Sequence, residues 1–167
     1  MKISMIVAMD ENNGIGYQGK MLWHIPKDFK WMKEKTMGHV IVMGRNCYED
    51  VIHYSKGKPL PGRTNVVITS KDPKEINEGF IVVKSIDEVL AKFSNEEKIC
   101  ILGGGQIYQA FLPLADELII THVHSKFVAD AFFPKVEFSN FSNTYNQNDE
   151  ENGFKFTFSI YQKKENK

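Results

Sequence analysis

Residues 99–111 read ICILGGGQIYQAF. Ile99–Leu102 is an apolar run of buried-strand length, broken by Gly103, Gly104 and Gly105 and followed by an amphipathic stretch through Phe111. Strand, bare backbone, then helix is one β-α unit of a layered α/β sheet. Working outward, the same order recurs at Val40–Met43, Gly44 and Arg45–Ile52. Ile3–Ala8 reads as the strand that begins the fold. The Asn- and Gly-rich Asp10–His24 reads as a long loop. Pro26 suits a first helical turn, with Lys27–Thr36 following as helix. Pro61-Gly62 marks a turn. Val66–Thr69, Phe80–Val83 and Leu118–Val123 read as strands. Ser85-Ile86-Asp87-Glu88 matches a capping box ahead of Ile86–Phe93. Phe154, Phe156, Phe158 and Ile160 alternate with Lys155, Thr157, Ser159 and Tyr161, the period of a half-buried antiparallel strand. The charged tail beyond Tyr161 is expected to fray. These segments predict one α/β domain over residues 1–167. It has a mixed, mainly parallel central sheet, flanking helices and an antiparallel C-terminal strand.

The chain has 167 residues, enough for a core without disulfides or metal. Lys+Arg and Asp+Glu are both 21, so no basic excess points to nucleic acid. Cys47 and Cys100 lie in no C-x-x-C pattern, which fits free thiols in a reducing compartment. Ile3–Met9 is too short and too soon acidic for a signal peptide, and no run is long enough to span a bilayer. A cytoplasmic monomer is the expectation.

Three strands end in material suited to polar ligands: Gly44-Arg45, Thr69-Ser70-Lys71 and Gly103-Gly104-Gly105. Such ends commonly hold ligands in α/β sheets. Gly44 and the triple glycine each open a helix, where bare backbone can approach a pyrophosphate. A tight strand-to-helix turn explains either site taken alone. Together with the third end they point to a dinucleotide. No G-x-G-x-x-G follows a strand, which disfavours a Rossmann domain. Arg45, Ser70 and Lys71 could grip an extra phosphate or form an ordinary solvated surface.

Asp28 falls between Trp31 and Met32 on the helical wheel, with Phe29 nearby, so it belongs to the apolar arc. A carboxylate there is costly unless paired. It reads either as a pocket acid of raised proton affinity or as a first-turn acid favoured by the helix dipole. Arg63, after the Pro61-Gly62 turn, could clamp a carboxylate or stay solvated. His122 and His124 share a strand face but lack a third ligand, so no metal is expected. Cys47 lies near a helix start without an orienting base, which speaks against a nucleophile.

In order and spacing, several motifs together resemble the bacterial dihydrofolate reductase family. They are Ile6-Val7-Ala8, Gly14-Ile15-Gly16, Met21-Leu22-Trp23-His24-Ile25-Pro26-Lys27-Asp28, Val42-Met43-Gly44-Arg45, Pro59-Leu60-Pro61-Gly62-Arg63 and Leu102-Gly103-Gly104-Gly105-Gln106-Ile107-Tyr108, with Phe133-Pro134 after Asp130 as a weaker match. The likeness runs from Ile3 to about Tyr161. It implies reduction of 7,8-dihydrofolate with NADPH. It implies catalytic roles for Asp28, Trp23, Met21, Thr121 and Tyr108. Ile6, Val7, Phe29, Met32, Val51, Leu60, Arg63 and Leu102 would line the substrate cleft, Arg63 holding the glutamate carboxylate. Ala8, Ile15, Gly16, Met21, Gly44, Arg45, Asn46, Cys47, Thr69, Ser70, Lys71 and Leu102–Tyr108, including Gly103, Gly104, Gly105, Gln106 and Ile107, would hold NADPH. The likeness also implies a cis peptide between Gly103 and Gly104.

Cys47, Gln106, Leu22 and Tyr48 depart from residues common in that family, and His53–Lys58 is longer than usual. A same-fold reductase of a ribosylated aminopyrimidine is the nearest alternative. The Trp23–Asp28 and Leu60–Arg63 segments argue against it. A nonenzymatic nucleotide or RNA binder is a third reading, weakened by the zero net charge.

Overall fold

A computed structural model describes residues 1–165. In chain order its elements are β1 (Lys2–Met9), β2 (Gly14–Gly16), α1 (Pro26–Thr36), β3 (Val40–Gly44), α2 (Arg45–Tyr54), β4 (Thr64–Ile68), β5 (Ile81–Val83), α3 (Ile86–Lys92), β6 (Lys98–Gly103), α4 (Gly105–Phe111), β7 (Glu117–Val123), β8 (Ala131–Phe132), β9 (Phe141–Glu151) and β10 (Phe154–Lys163). Each predicted strand and helix is present, with ends shifted by a few residues. The Asp10–His24 loop contains the short β2, which pairs with β8. Glycine and asparagine hid that pairing because it comes from a distant segment.

Eight strands form one sheet in the order β5-β4-β3-β6-β1-β7-β10-β9. Neighbours from β5 to β7 are parallel, and β10 is antiparallel to both β7 and β9. The chain leaves β1 in one direction, toward β3, and leaves β6 in the other, toward β7. The carboxyl ends of β1, β3 and β6 therefore converge beside a reversal of strand order, where α/β sheets open a crevice.

Alternation along the strands supplies a core on each face. Val7, Val42 and Ile101 pack on one side with Tyr108 and Phe111 of α4 and Val89 of α3. Ile6, Met43 and Cys100 pack on the other with Trp31 of α1 and Tyr48 of α2. Trp31 stacks on Phe158 at 4.5 Å and Tyr145 at 5.6 Å, which ties α1 to the C-terminal strands.

Strand β9 had no sequence signal. Its residues, FSNTYNQNDEE, are mostly exposed and carry no apolar face. Pairing with β10 makes it a strand, and its polarity suits a sheet edge that must not recruit another chain. In β10, Phe156 and Phe158 are buried as predicted. Ser159 is buried too, against expectation, and its hydroxyl donates to Asn146 Oδ1 at 2.7 Å. The tail is better anchored than its charge suggested: Lys163 N donates to Asp116 O and Lys164 N to Asn140 O, both at 2.9 Å. Residues 166 and 167 of that call lie outside the described residues.

Candidate active site

Helix α1 carries the central acid. Its start has no side-chain cap of its own. Instead the hairpin of β9 and β10 holds it: Lys27 N donates to Glu151 Oε1 at 2.7 Å, and Lys27 Nζ meets Asp149 at 2.9 Å. Asn152 Nδ2 also donates to His24 O at 3.2 Å. These contacts fix the turn on which Asp28 sits. Its carboxyl reaches across to β7, where the Thr121 hydroxyl donates to Asp28 Oδ1 at 2.6 Å. Among the described residues no other group hydrogen-bonds that carboxyl and no cation pairs with it. Burial pushes its pKa up to about 6, against the pull of the Thr121 hydrogen bond. Asp28 thus has both features read from the sequence: a carboxyl whose proton affinity burial raises, and a place in the first turn of α1.

Ile6, Trp23, Met32, Val51, Leu60 and Leu102 all belong to the apolar core on the α1 side of the sheet. Phe29, the next residue on α1, lies outside that core and is half-buried. Val7 is a correction. Strand alternation turns its side chain to the opposite face, into the core with Tyr108 and Phe133, so it does not line the Asp28 side. Trp23 is buried against Phe127, and its indole N–H has no protein partner. An unpaired buried N–H is costly, so this one marks a place for water or a ligand atom. Met21 is exposed on the loop before it.

Tyr108 Oη lies 2.6 Å from Ile6 O and 2.5 Å from Leu102 O. One hydroxyl has one proton, so it donates to one carbonyl at a time. The two carbonyls, one just past the last β1–β6 pair and the other near the end of β6, thus retain acceptor capacity. Cys47 adds a third contact, its S–H donating to Leu102 O at 3.8 Å. Burial pushes the Cys47 thiol up to about 12, which keeps it a thiol donor and not a nucleophile.

Arg63 closes the far end of α1. Its Nη1 donates to Thr36 Oγ1 at 3.1 Å, and among the described residues no carboxylate pairs with it. Sequence reasoning missed the residue that holds it there. Buried Asn65 accepts from Leu60 N at 2.9 Å and donates to Leu60 O at 3.0 Å and Arg63 O at 3.1 Å. Asp10 was also missed. Its carboxylate accepts from Gly14 N at 2.7 Å and from Asn12 N and Phe127 N at 2.9 Å, which anchors the loop leading to Met21 and Trp23. Turn chemistry (an Asp four residues before a Gly) was the available signal.

The nucleotide-binding candidates gather at the other side of the crevice. Gly44 packs tightly under α4: a Cβ there would meet Ile107 Cγ1 at 2.8 Å. At Gly104 a Cβ would meet nothing within 4 Å, so that backbone faces open space. The Gly103-Gly104 peptide is cis. Helix α2 starts at Gly44 without a side-chain cap, leaving N–H groups for an anion. A dinucleotide phosphate fits this bare, accessible backbone. Asn46, Ser70, Lys71 and Gln106 are exposed, Thr69 is buried, and Ala8, Ile15, Gly16 and Gly105 are half-buried. Arg45 is not free: Nε meets Glu49 at 2.8 Å and Nη1 lies 3.5 Å from Glu75. A phosphate would have to compete with both carboxylates.

His122 and His124 bind Tyr161 at 2.9 Å and Thr157 at 2.7 Å, and no metal-binding group of three or more residues occurs among the described residues. No helix among them is long and apolar enough to cross a membrane.

Comparison with known proteins agrees with this geometry. The family model described as dihydrofolate reductase matches residues 2–163. Dihydrofolate reductase of Bacillus subtilis is 39% identical over 165 residues, covering 97% of this chain and 95% of that protein. The type 3 enzyme of Salmonella typhimurium is 41% identical over 134 residues, 80% of this chain and 79% of its own. The structure of Enterococcus faecalis dihydrofolate reductase complexed with NADP(H) and RAB-propyl superposes with a TM-score of 0.87 at 33% identity, over 98% of this chain and 97% of that one.

Proposed function

The chain belongs to the dihydrofolate reductase family, and from that premise we propose that it reduces 7,8-dihydrofolate to 5,6,7,8-tetrahydrofolate, with Asp28 as the acid of the site. The observation that carries the reading is the Asp28 carboxyl. It sits beside Thr121 with no cation to hold its charge and with a pKa near neutrality. Such a group exchanges a proton at working pH.

Dihydrofolate is a flat pterin head, a benzoyl ring and a glutamate tail. Asp28 and Thr121 bind the ring N–H and exocyclic amine of the head. The apolar walls of Ile6, Met32 and Leu102 hold its faces. Arg63, with no carboxylate among the described residues to satisfy it, takes the glutamate carboxylate in a two-pronged hydrogen bond. The Trp23 N–H holds a water, through which the Asp28 proton reaches the ring nitrogen beside the reacting carbon. Protonation there makes that carbon electron-poor. When bound, NADPH supplies the hydride. Gly44, Asn46, Ser70, Lys71 and Gly103–Ile107 bind its phosphates and ribose. Tyr108 ties Ile6 of β1 to Leu102 of β6 between the two ligands, and Met21 rides on the loop that shields the site from water. The free thiols Cys47 and Cys100 support action in a reducing cytoplasm.

The test follows reduced-nicotinamide absorbance with purified protein, NADPH and dihydrofolate. Turnover is expected, with none on a ribosylated aminopyrimidine. The reverse pattern would assign the chain to the other reductase.

A further inference from the structure

Resting on the folate-reductase reading, we infer that Tyr54 is a specificity-determining residue: stacked on Phe29, it extends the cleft wall along the aryl part of the substrate's tail. Asp28, Met32 and Thr36 follow one another at four-residue intervals on α1. Eight residues of helix span about 12 Å. Arg63 Nη1 touches both Thr36 Oγ1, at 3.1 Å, and Met32 Sδ, at 3.7 Å, so its guanidinium marks the far end of that line. A molecule with its planar head on Asp28 and its carboxylate on Arg63 must run its aryl ring alongside α1, which also carries Phe29.

Phe29 is not part of either core. Its aromatic neighbours are His24, at 5.9 Å, and Tyr54, at 5.0 Å with the rings 12° apart. Tyr54 is the last residue of α2, and the cleft-lining candidate Val51 and Cys47 precede it on the same helix face, both packed against the core on the α1 side of the sheet. Tyr54 thus continues a line that begins inside the site, yet it is 63% exposed. An aromatic this open gains little from the fold itself. The chain after it is nevertheless pinned: Gly57 N donates to Ile52 O at 2.7 Å, and Asn77 Nδ2 donates to Gly57 O at 3.0 Å. The extra length at His53–Lys58 therefore forms an ordered turn that presents the ring. Rings so close and so nearly parallel leave no slot for a third ring between them. The pair is a wall for the aryl group, not a clamp around it. The Tyr54 hydroxyl has no hydrogen bond among the described residues, so the ring carries the effect.

The experiment compares Tyr54→Ala and Tyr54→Phe on two substrates, dihydrofolate and a 7,8-dihydropterin without the benzoylglutamate tail. Loss of one aromatic contact predicts a KM for dihydrofolate raised roughly three- to tenfold in Tyr54→Ala. The kcat and the KM for NADPH should stay within about twofold. Tyr54→Phe should restore the parent KM, and the tail-less substrate should not distinguish the variants. A dihydrofolate KM that is unchanged or lowered in Tyr54→Ala, or an equal loss on both substrates, overturns the inference. Absence of dihydrofolate turnover in the parent protein would instead overturn the reading on which it rests.

Discussion

At one end of β7, Glu117 is surrounded by donors; four residues on, Thr121 is the one partner of the Asp28 carboxyl among the described residues. Glu117 accepts from Ser4 at 2.8 Å and Gln162 at 2.5 Å and pairs with Lys2 and Lys98 at 3.0 Å each. Burial pushes its pKa up, but Gln162, Lys98, Ser4 and Lys2 together hold it at about 2. Asp28 meets burial with one hydroxyl and no cation, and stands at about 6. The contrast teaches what separates a structural acid from a chemical one. Both lie against the same sheet. The neighbours decide whether the proton is locked out or kept within reach.

Exchanging the acid at the reactive end has the largest expected effect. Asp28→Asn should lower kcat/KM near neutral pH by about 10²- to 10⁴-fold, the usual worth of a positioned acid. NADPH binding, followed by nicotinamide fluorescence, should survive. The same variant should be more stable than the parent at pH 7–8, by about 1–3 kcal/mol. The sign follows from linkage: a carboxyl raised from 3.8 to about 6 is most favourable to folding below pH 3.8, and that contribution is lost as pH rises through 6. Greater stability with lost activity would show that the cleft holds this charge at a cost. Lower stability would erase the contrast with Glu117.

At the structural end, Glu117→Gln should cost about 3 kcal/mol by urea unfolding at pH 7 while turnover per folded molecule stays normal. Because the Glu117 pKa is depressed from 4.5 to about 2, its contribution is complete above pH 4.5 and disappears as pH falls toward 2. A parent–variant difference that persists unchanged at pH 2 would refute the assignment. Next comes the pH profile of the parent: kcat/KM should fall about tenfold per unit above pH 6, and a flat profile to pH 8 would remove Asp28 as the acid. The smallest effect separates the two lysines. Lys98, 17% exposed, should matter more to stability than Lys2, 41% exposed. Lys2→Met should cost under about 1 kcal/mol and less still in high salt.

Much of the fold was legible because β-α units announce themselves through apolar runs that end in glycine. Asp28 was visible as a misplaced acid on an apolar arc, and the paired motifs around it gave the family likeness. The ligand-facing ends of β3 and β6 followed from the same pattern. What stayed hidden depended on distant pairing. β9 has no apolar face, so only β10 makes it a strand. Asn65 and Asp10 look like ordinary loop residues until their backbone partners are in place. Tyr54 is one residue of the long His53–Lys58 segment, beyond the predicted helix, until α2 extends to it and it meets Phe29. Val7 was placed in the cleft by motif, and the pleat of β1 turned it away.

The sequence by itself determined the layered α/β class and the order of its units, because local periodicity and residue type are enough for these; Asp28 it left open between two readings, and only the family likeness singled it out. Only the tertiary structure decided how that acid behaves. Glu151 and Asp149, 123 and 121 residues beyond Asp28 in the chain, hold the helix that carries it, and Thr121 arrives from another strand. Proton affinity depends on what surrounds a group in space, and neighbours in space are set by folding, not by position along the chain.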